Sequence, residues 1–396
     1  MTLSTRDPLN AFLDLPEVPV PYAKTGPLGG IGIGVKDIFD VAGYPTGCGN
    51  PDKFAEAEPT AVTASAVQAL FDSGARFAGK TQTEELAFSL MGVNAHFPSP
   101  VNPAAPDRVC GGSSSGSAAA VAGGLVPLAT ASDTGGSVRA PACFCGMVGL
   151  RTTHGRIPLD HTMPLAPSLD TFGWFANTIG LYRTVAAILL GEDGHKGRLN
   201  RAARVDILDG LVLGAEEEAA YADMANRLSA FFGQPSVTAS FSQDIDDLYW
   251  TFRKIQGFEA WQCHGDWISA KDRHLGPGVK ERFEFGSTVD EDTVLGERMR
   301  RDAFRAELAD LIGDDGVLIL PTVPGPAPLK SASFDSMQAY RERAMRLLCL
   351  SSLSGFPQIT LPLGTVSGAP FGISLLGPRG SDHQLIALAA AILAGD

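Results

Sequence analysis

The 396-residue sequence predicts an α/β protein with a three-layer α/β/α architecture. Short apolar runs typical of buried strands alternate along the chain with longer segments that have the spacing of helices. Residues 110–150 consist mostly of Gly, Ala and Ser, a composition that lets backbones approach each other or a ligand closely. Hydrophobic residues make up 44% of the chain, which is enough for a substantial core.

The first part of the chain reads as a Pro-rich arm followed by a strand, a helix and a second strand. The run GIGIGVKDIF predicts a buried strand with a single lysine, Lys36. The segment TAVTASAVQALFDSG has helical spacing and ends at Gly74, a residue suited to a helix C-terminus. The short apolar run ARFAG then predicts the next strand.

The small-residue stretch predicts two loops that enclose a helix and a strand. A first Gly/Ser loop, GGSSSGS, leads into an Ala-rich helix from Ser117 to Gly123, and a strand follows from Val126 to Ala131. The second Gly/Ser loop is DTGGSVR. Both loops therefore lie at the ends of buried elements.

The remaining elements complete the layered pattern. AEEEAAYADMANRLSAFF predicts an amphipathic helix, and GVLILP predicts a buried strand. SGFPQITLPLG and GAPFGISLLGP predict a late strand pair, and SDHQLIALAAAIL predicts a capped closing helix. We expect residues 1–396 to form one domain, with a core over 27–180, a variable helical region over 181–305 and completing strands and helix over 306–396.

Composition and charge exclude several classes of protein. The net charge of −13 argues against nucleic-acid binding, and no apolar run is long enough to span a bilayer. The six cysteines contain no CxxC pair, so neither a zinc site nor a disulfide framework is predicted. The N-terminus lacks a signal-peptide pattern, which favours the cytoplasm. A homodimer is the default hypothesis, because twofold dimers are the commonest oligomers.

Two sequence matches offer alternative functions. Gly74–Thr81 fits the P-loop pattern GxxxxGK[ST], but a P-loop needs a strand before its first glycine and a helix after it, and here a helix precedes Gly74. Ser114 fits the GxSxG pattern of an α/β-hydrolase esterase, which needs a core strand upstream and a late catalytic histidine. The upstream VNPAAPDRVC is poor strand material, and His383 lies in a helix-start pattern.

A third arrangement joins Lys36 to the two Gly/Ser loops. A lysine in an apolar strand loses hydration, which lowers its pKa and makes a neutral amine available as a base. Such an amine can take a proton from a serine nucleophile in place of a histidine. Backbone amides in a glycine-rich loop can converge to form an oxyanion hole. The residue types alone leave open whether Ser114 or Ser137 is the nucleophile.

Three segments carry a more specific pattern, and they are GVKDIFDVAGYPTGCGNPD, RVCGGSSSGSAAAVAGGLVPLATASDTGGSVRAPACFCGMVGLRTTHGRIP and SLDTFGWFANT. Together, in this order and at this spacing, they resemble the amidase-signature family. The resemblance implies the amidase-signature fold with a large mixed central sheet. It also implies a Ser–cis-Ser–Lys triad, which falls on Ser137 as nucleophile, Ser113 as the cis serine and Lys36 as base. The sequence departs from the family at Ala131–Ser132, where Gly-Thr is usual.

The same resemblance implies the rest of the site. The oxyanion hole falls on Thr134, Gly135 and Gly136 together with the amide of Ser137, and no metal or organic cofactor is implied. The loop that lines the site in relatives carries three candidate substrate-binding residues, which are Phe88, Ser89 and Met91. GGSSSGS, DIFD, SLDTFGWFA and HLGPGVKERF look closest to indole-3-acetamide hydrolase-like amidases, so the expected substrate is a small acetamide or arylacetamide.

Overall fold

The strands of a computed structural model, which describes residues 7–233 and 236–395, form two sheets. The first six residues of the predicted N-terminal arm lie outside this description. The strands are β1 (Gly32–Lys36), β2 (Arg76–Thr81), β3 (Leu128–Ser132), β4 (Gly149–Arg151), β5 (Phe172–Ala176), β6 (Arg201–Val205), β7 (Val237–Ala239), β8 (Gly316–Pro321), β9 (Gln358–Val366) and β10 (Ala369–Leu376).

Helices lie around these sheets, and most of them contribute buried apolar side chains to the hydrophobic core. They are α1 (Pro51–Glu56), α2 (Ser65–Asp72), α3 (Ser115–Ala122), α4 (Arg139–Phe144), α5 (Ile179–Leu189), α6 (Asp206–Asp209), α7 (Ala215–Phe231), α8 (Ile245–Ser269), α9 (Val279–Ser287), α10 (Glu291–Ile312), α11 (Phe334–Ser354) and α12 (Asp382–Ala394). The α/β architecture expected from the alternating pattern is confirmed. In the described chain, no helix has the length and apolar character needed to cross a membrane.

The strand order places the ends of β1 and β3 side by side. In the described residues, one sheet has the order β2-β1-β3-β5 and the other β4-β9-β10-β8-β6-β7. The two sheets adjoin where β4 lies near β5, and the hydroxyl of Thr152 donates to the carbonyl of Phe172 at 3.0 Å. Strands β1 and β3 are parallel, with Gly34 opposite Ala129. Their carboxyl ends therefore meet at one edge, which carries both Lys36 and the loop that follows β3.

Most predicted elements are present, with differences at their ends. The helix predicted from Ser117 begins at Ser115, because Gly116 donates its amide to the carbonyl of Gln82 at 3.1 Å and is buried against that segment. The late strand pair is the antiparallel pair β9 and β10. The closing helix α12 lacks the predicted side-chain cap, since the hydroxyl of Ser381 donates to the carbonyl of Pro378 instead.

Candidate active site

Lys36 lies at the end of β1 with no exposure to solvent. Its Nζ is within hydrogen-bond distance of three hydroxyl oxygens, at 2.8 Å from Ser113, 3.0 Å from Ser114 and 2.7 Å from Ser132. An ammonium can donate to all three, whereas a neutral amine donates two hydrogen bonds and accepts one. In the neutral form, one of these serines must therefore donate its proton toward Nζ.

Burial lowers the pKa of Lys36 from 10.5 to about 7. Removing the ammonium from water disfavours the charged form, and the carboxylates of Glu84, Asp133 and Asp170 offset only part of that loss. Near pH 7 the amine is therefore divided between its charged and neutral forms. This is the property that a general base requires.

The first Gly/Ser loop is fixed beside Lys36 by its backbone. The peptide bond between Gly112 and Ser113 is cis, as the family resemblance implied. The carbonyl of Ser113 accepts hydrogen bonds from the amide of Glu84 and the hydroxyl of Thr83, each at 3.1 Å. The side chain of Ser113 is fully buried. These contacts hold its hydroxyl toward the lysine rather than toward solvent.

The second Gly/Ser loop is organised around the carboxylate of Asp133. This carboxylate accepts the backbone amides of Gly136 and Val138 at 2.7 and 3.2 Å. It also forms buried ion pairs with Arg139 at 2.9 Å and Arg151 at 3.1 Å. Burial alone would raise the pKa of Asp133, but the two guanidinium charges outweigh it and hold that pKa below its ordinary value.

The geometry of this loop corrects the predicted set of oxyanion-hole amides. The amide of Gly136 is already bonded to Asp133, so it is not free to bind an oxyanion. In the part of the chain that the structure describes, the amides of Thr134, Gly135 and Ser137 have no protein acceptor. Only these three remain available. Gly136 instead allows the loop to turn, because the φ of 122° at this residue lies in a region that favours glycine.

Ser137 lines a small cavity beside Lys36's cluster of serines. Its side chain is 5% exposed, and within the described residues its hydroxyl makes no hydrogen bond to protein. The cavity is lined by Ala87, Phe88, Ser89, Leu90, Thr134, Gly135, Ser137, Gln256, Arg341 and Met345. Two residues of the second loop whose amides are free, Thr134 and Gly135, thus line the same cavity as Ser137.

The cavity contains two of the three predicted substrate-binding residues. Phe88 and Ser89 line it, because a 3₁₀ turn at Glu85–Ala87, with positive φ at Ala87, leads the chain into its wall. Met91 does not line this cavity, and it packs in the main hydrophobic core. The structure therefore brings two of the three residues together at this cavity, since consecutive residues of an irregular segment do not share one face.

Sequence reasoning missed Gln256 and Arg341, which come from helices α8 and α11. It also missed Ser132, the hydroxyl nearest to the Lys36 amine. The departure from the usual family residue at position 132 was a usable signal for Ser132. Nothing local distinguishes Gln256 or Arg341 from other residues of their helices, because each reaches the cavity only through packing of distant segments.

The structure excludes both alternative motifs. Lys80, the lysine of the P-loop match, lies in β2 and is buried. Its Nζ contacts Asp37 at 3.2 Å and the carbonyl of Phe39 at 2.5 Å, so it is an internal ion-pair residue. Ser114 follows a loop rather than a strand, and its hydroxyl contacts only Lys36 and the backbone of Ser132 among described residues. It therefore lacks the context of a nucleophile elbow.

A metal site is not evident in this region or elsewhere in the described chain. Among residues 7–233 and 236–395, no group of three or more His, Cys, Asp or Glu side chains is arranged to hold a metal ion. The polar side chains that line the cavity are instead hydroxyls, an amide and a guanidinium.

A buried lysine of lowered pKa, bonded to serines of a glycine-rich loop on an α/β scaffold, defines a protein of the lysine–serine hydrolase type. Comparison with known families gives the same class. The family model described as Amidase matches residues 12–232 and 236–386, and the chain belongs to the amidase family. It is therefore a hydrolase of the class that acts on amide C–N bonds.

Individual relatives match over almost the full chain. Amidase 1 of Oryza sativa subsp. japonica is 35% identical over 410 residues, which covers 96% of this chain and 94% of that protein. Amidase 1 of Arabidopsis thaliana is 34% identical, with 99% and 100% covered. A solved structure described as "Crystal structure of amidase" has a TM-score of 0.84 at 30% identity and covers 93% of this chain and 85% of its own.

Proposed function

We propose that this hydrolase cleaves a small carboxamide through an acyl-enzyme on Ser137, with Ser113 and Lys36 as the proton relay. One observation carries the proposal: the Lys36 amine lies 2.8 Å from the Ser113 hydroxyl, in a site that lowers the lysine pKa to about 7. A neutral amine there can accept the Ser113 proton, which leaves Ser113 able to accept a proton in turn.

The reaction begins when the Ser137 oxygen attacks the amide carbonyl. Its proton passes to Ser113 while the Ser113 proton passes to Lys36, so Ser137 must turn toward Ser113 when the substrate is bound. Contacts of this kind are often long or unmade in a free enzyme and tighten in the complex. The oxyanion that forms is stabilised by the free amides of Thr134, Gly135 and Ser137.

The tetrahedral intermediate then collapses with cleavage of the C–N bond. The proton held by Lys36 returns through Ser113 to the leaving nitrogen, which departs as ammonia or an amine. Water attacks the acyl-enzyme by the same route and releases the carboxylic acid together with the free Ser137 hydroxyl. From the family resemblance, we propose an acetamide or arylacetamide type of substrate.

The test is ammonia release from a panel of primary amides, including acetamide, phenylacetamide, indole-3-acetamide and malonamide. Ser137→Ala should lower kcat by about 10⁴-fold or more, since it removes the nucleophile. Intact-mass measurement after rapid acid quenching should show the acyl adduct on wild-type protein, and peptide mapping should locate it at Ser137.

Ser113→Ala and Ser114→Ala form a matched pair, because both hydroxyls contact the same lysine. Ser113→Ala should cost a large part of the activity, whereas Ser114→Ala should cost far less if Ser114 lies outside the relay. Normal turnover in Ser137→Ala, or an acyl adduct on Ser114, would contradict the assignment.

A further inference from the structure

Two buried arginines near the cavity have no acidic partner. Arg282 of α9 is 5% exposed and Arg341 of α11 is 3% exposed. In the described part of the chain, neither guanidinium forms an ion pair or a hydrogen bond, and the Nε of each is buried without an acceptor. Other buried arginines are paired, as Arg139 is with Asp133. A buried cation with no partner is costly and needs an explanation.

The charged groups around these arginines do not supply the missing partner. Arg253 adds a third positive charge near them, and its own guanidinium donates to the Tyr249 hydroxyl at 2.9 Å. Glu84 is a buried carboxylate whose charge acts on both arginines, but in the described chain it forms no ion pair with either of them. Its Oε1 accepts two backbone amides at 2.9 Å, and its Oε2 is buried without a donor. Glu281 and Glu342 act only at longer range.

Burial and mutual repulsion both oppose the charged state of these arginines. Burial is the main cause that lowers the pKa of Arg341 to about 10, and the charge of Arg253 adds to it. The pKa of Arg282 is also well below its ordinary value, through burial and the charge of Arg341. With a pKa of about 10, Arg341 stays protonated at neutral pH, so its guanidinium carries a positive charge there.

One of the arginines lies at the wall of the cavity that contains Ser137, and the other lies beside a residue of that wall. Arg341 lines that cavity directly, together with Gln256, whose Oε1 is also buried without a donor. The guanidinium of Arg282 lies 5.6 Å from the ring centroid of Phe88, another wall residue. Two guanidinium groups without an ion-pair partner and an amide without a donor are therefore found at or beside the wall of the cavity that contains Ser137.

We infer that the amide substrate carries a carboxylate on its acyl part and that Arg341 binds this carboxylate, with Arg282 stabilising it through its charge. A carboxylate matches a guanidinium in shape as well as in charge. The carboxylate supplies the ion-pair partner that neither guanidinium has in the described chain, and the Nε2 amide group of Gln256 can donate to the same carboxylate. The inference rests on the proposed function, since it places this substrate against Ser137, and it narrows the proposed acetamide type of substrate to one whose acyl part carries a carboxylate.

The test compares pairs of amides that differ only in charge. Malonamate is paired with 3-methylbutanamide and succinamate with 4-methylpentanamide, because an isopropyl group has the shape of a carboxylate. For at least one pair we expect kcat/KM to favour the carboxylated amide by about 100-fold. In Arg341→Met the ratio for that pair should fall to about one. Arg346→Met is the control, since Arg346 is on the same helix but pairs with Asp246 and should leave the ratio unchanged.

Stability measurements keep a folding defect from being mistaken for loss of binding. Arg341→Met removes an unpaired buried charge, so its Tm should be no lower than that of the wild type. Arg341→Lys should recover part of the preference for the carboxylated amide, because it restores charge without the planar guanidinium. A merely structural arginine would change Tm and leave the ratio between the paired amides untouched.

A binding experiment separates this inference from the proposed function. Calorimetric titration of Ser137→Ala with the carboxylated amides requires no turnover, and binding should be lost when Arg341→Met is added. Such binding supports the carboxylate site even if wild-type protein hydrolyses no amide. Turnover that depends on Ser137 but shows no preference for charge overturns the inference and leaves the proposed function standing. Absence of both turnover and binding overturns both.

Discussion

Replacing Lys36 by methionine tests the central physical argument, because the change removes the amine while keeping a side chain of similar length. The fall of the Lys36 pKa from 10.5 to about 7 corresponds to about 5 kcal/mol of preference for the neutral form. If this neutral amine is the base, kcat/KM should follow its deprotonation. The dependence of kcat/KM on pH reports the ionisation of groups in the free enzyme, which is the state to which this pKa applies.

The expected profile follows from that pKa. About one-tenth of Lys36 is neutral at pH 6, half at pH 7 and nine-tenths at pH 8. Ammonia release measured from pH 5.5 to 9.5 should therefore show kcat/KM rising about tenfold from pH 6 to pH 8 and then levelling off. A lysine with an ordinary pKa would give about a 100-fold rise over the same interval and no plateau.

Two variants make the result specific to Lys36. In Lys36→Met, kcat/KM should no longer rise between pH 6 and pH 8, and kcat should fall by about 10³-fold or more. Lys254→Met is the control, since Lys254 is partly exposed and pairs with Glu297 away from the serine cluster, and it should reproduce the wild-type profile. A wild-type limb that continues to rise with unit slope above pH 9 would refute the lowered pKa. Retention of the limb in Lys36→Met would refute the role of the lysine.

Three further predictions concern stability and can be measured by chemical denaturation. Between about pH 7 and pH 10.5, the Lys36 amine binds more protons in the unfolded state than in the folded state. The free energy of unfolding of the wild type, relative to that of Lys36→Met, should therefore rise by about 5 kcal/mol across that window. A difference that does not change with pH would show that the pKa is not lowered. Asp133→Asn should lower the free energy of unfolding by about 3–5 kcal/mol, because it leaves two buried guanidinium charges uncompensated. The control Asp302→Asn, at an exposed ion pair, should change the free energy of unfolding by less than about 0.5 kcal/mol. Gly116→Ala should destabilise the protein strongly, since the new Cβ would lie 2.4 Å from a backbone oxygen of the N-terminal arm. The control Gly296→Ala, in a helix with open space around this glycine, should stabilise the protein by about 1 kcal/mol. Equal effects of the two substitutions would contradict the argument that Gly116 is required for close packing.

Much of the fold follows from local sequence pattern. Lys36 lies in a mostly apolar segment, and such a continuous apolar segment is typical of a strand that is buried on both faces of a sheet. The late strand pair and the long helix α7 were predictable for the same reason, since periodicity survives in one sequence. Element ends were less predictable, as at α3, because its first turn is fixed by contact with a distant segment.

The placement of the candidate site was predictable in part. Lys36 and Ser113 were expected together from the family resemblance, and the structure brings them within 2.8 Å. The bonding of the Gly136 amide to Asp133 was not predictable, because it depends on the folded path of one loop. The packing of Met91 in the core was not predictable from the sequence, since it depends on the turn that precedes this residue.

The sequence by itself determined which elements form, that Lys36 lies inside a buried strand, and which loops carry the serines. These are properties of short segments, where hydrophobic periodicity and backbone preference act locally. Only the tertiary structure decided that Ser132 joins the lysine, that Gly136 is withdrawn from the set of free amides, and that Arg282 and Arg341 have no acidic partner. Desolvation and pairing depend on residues far apart in the chain, so they exist only after the segments have packed together.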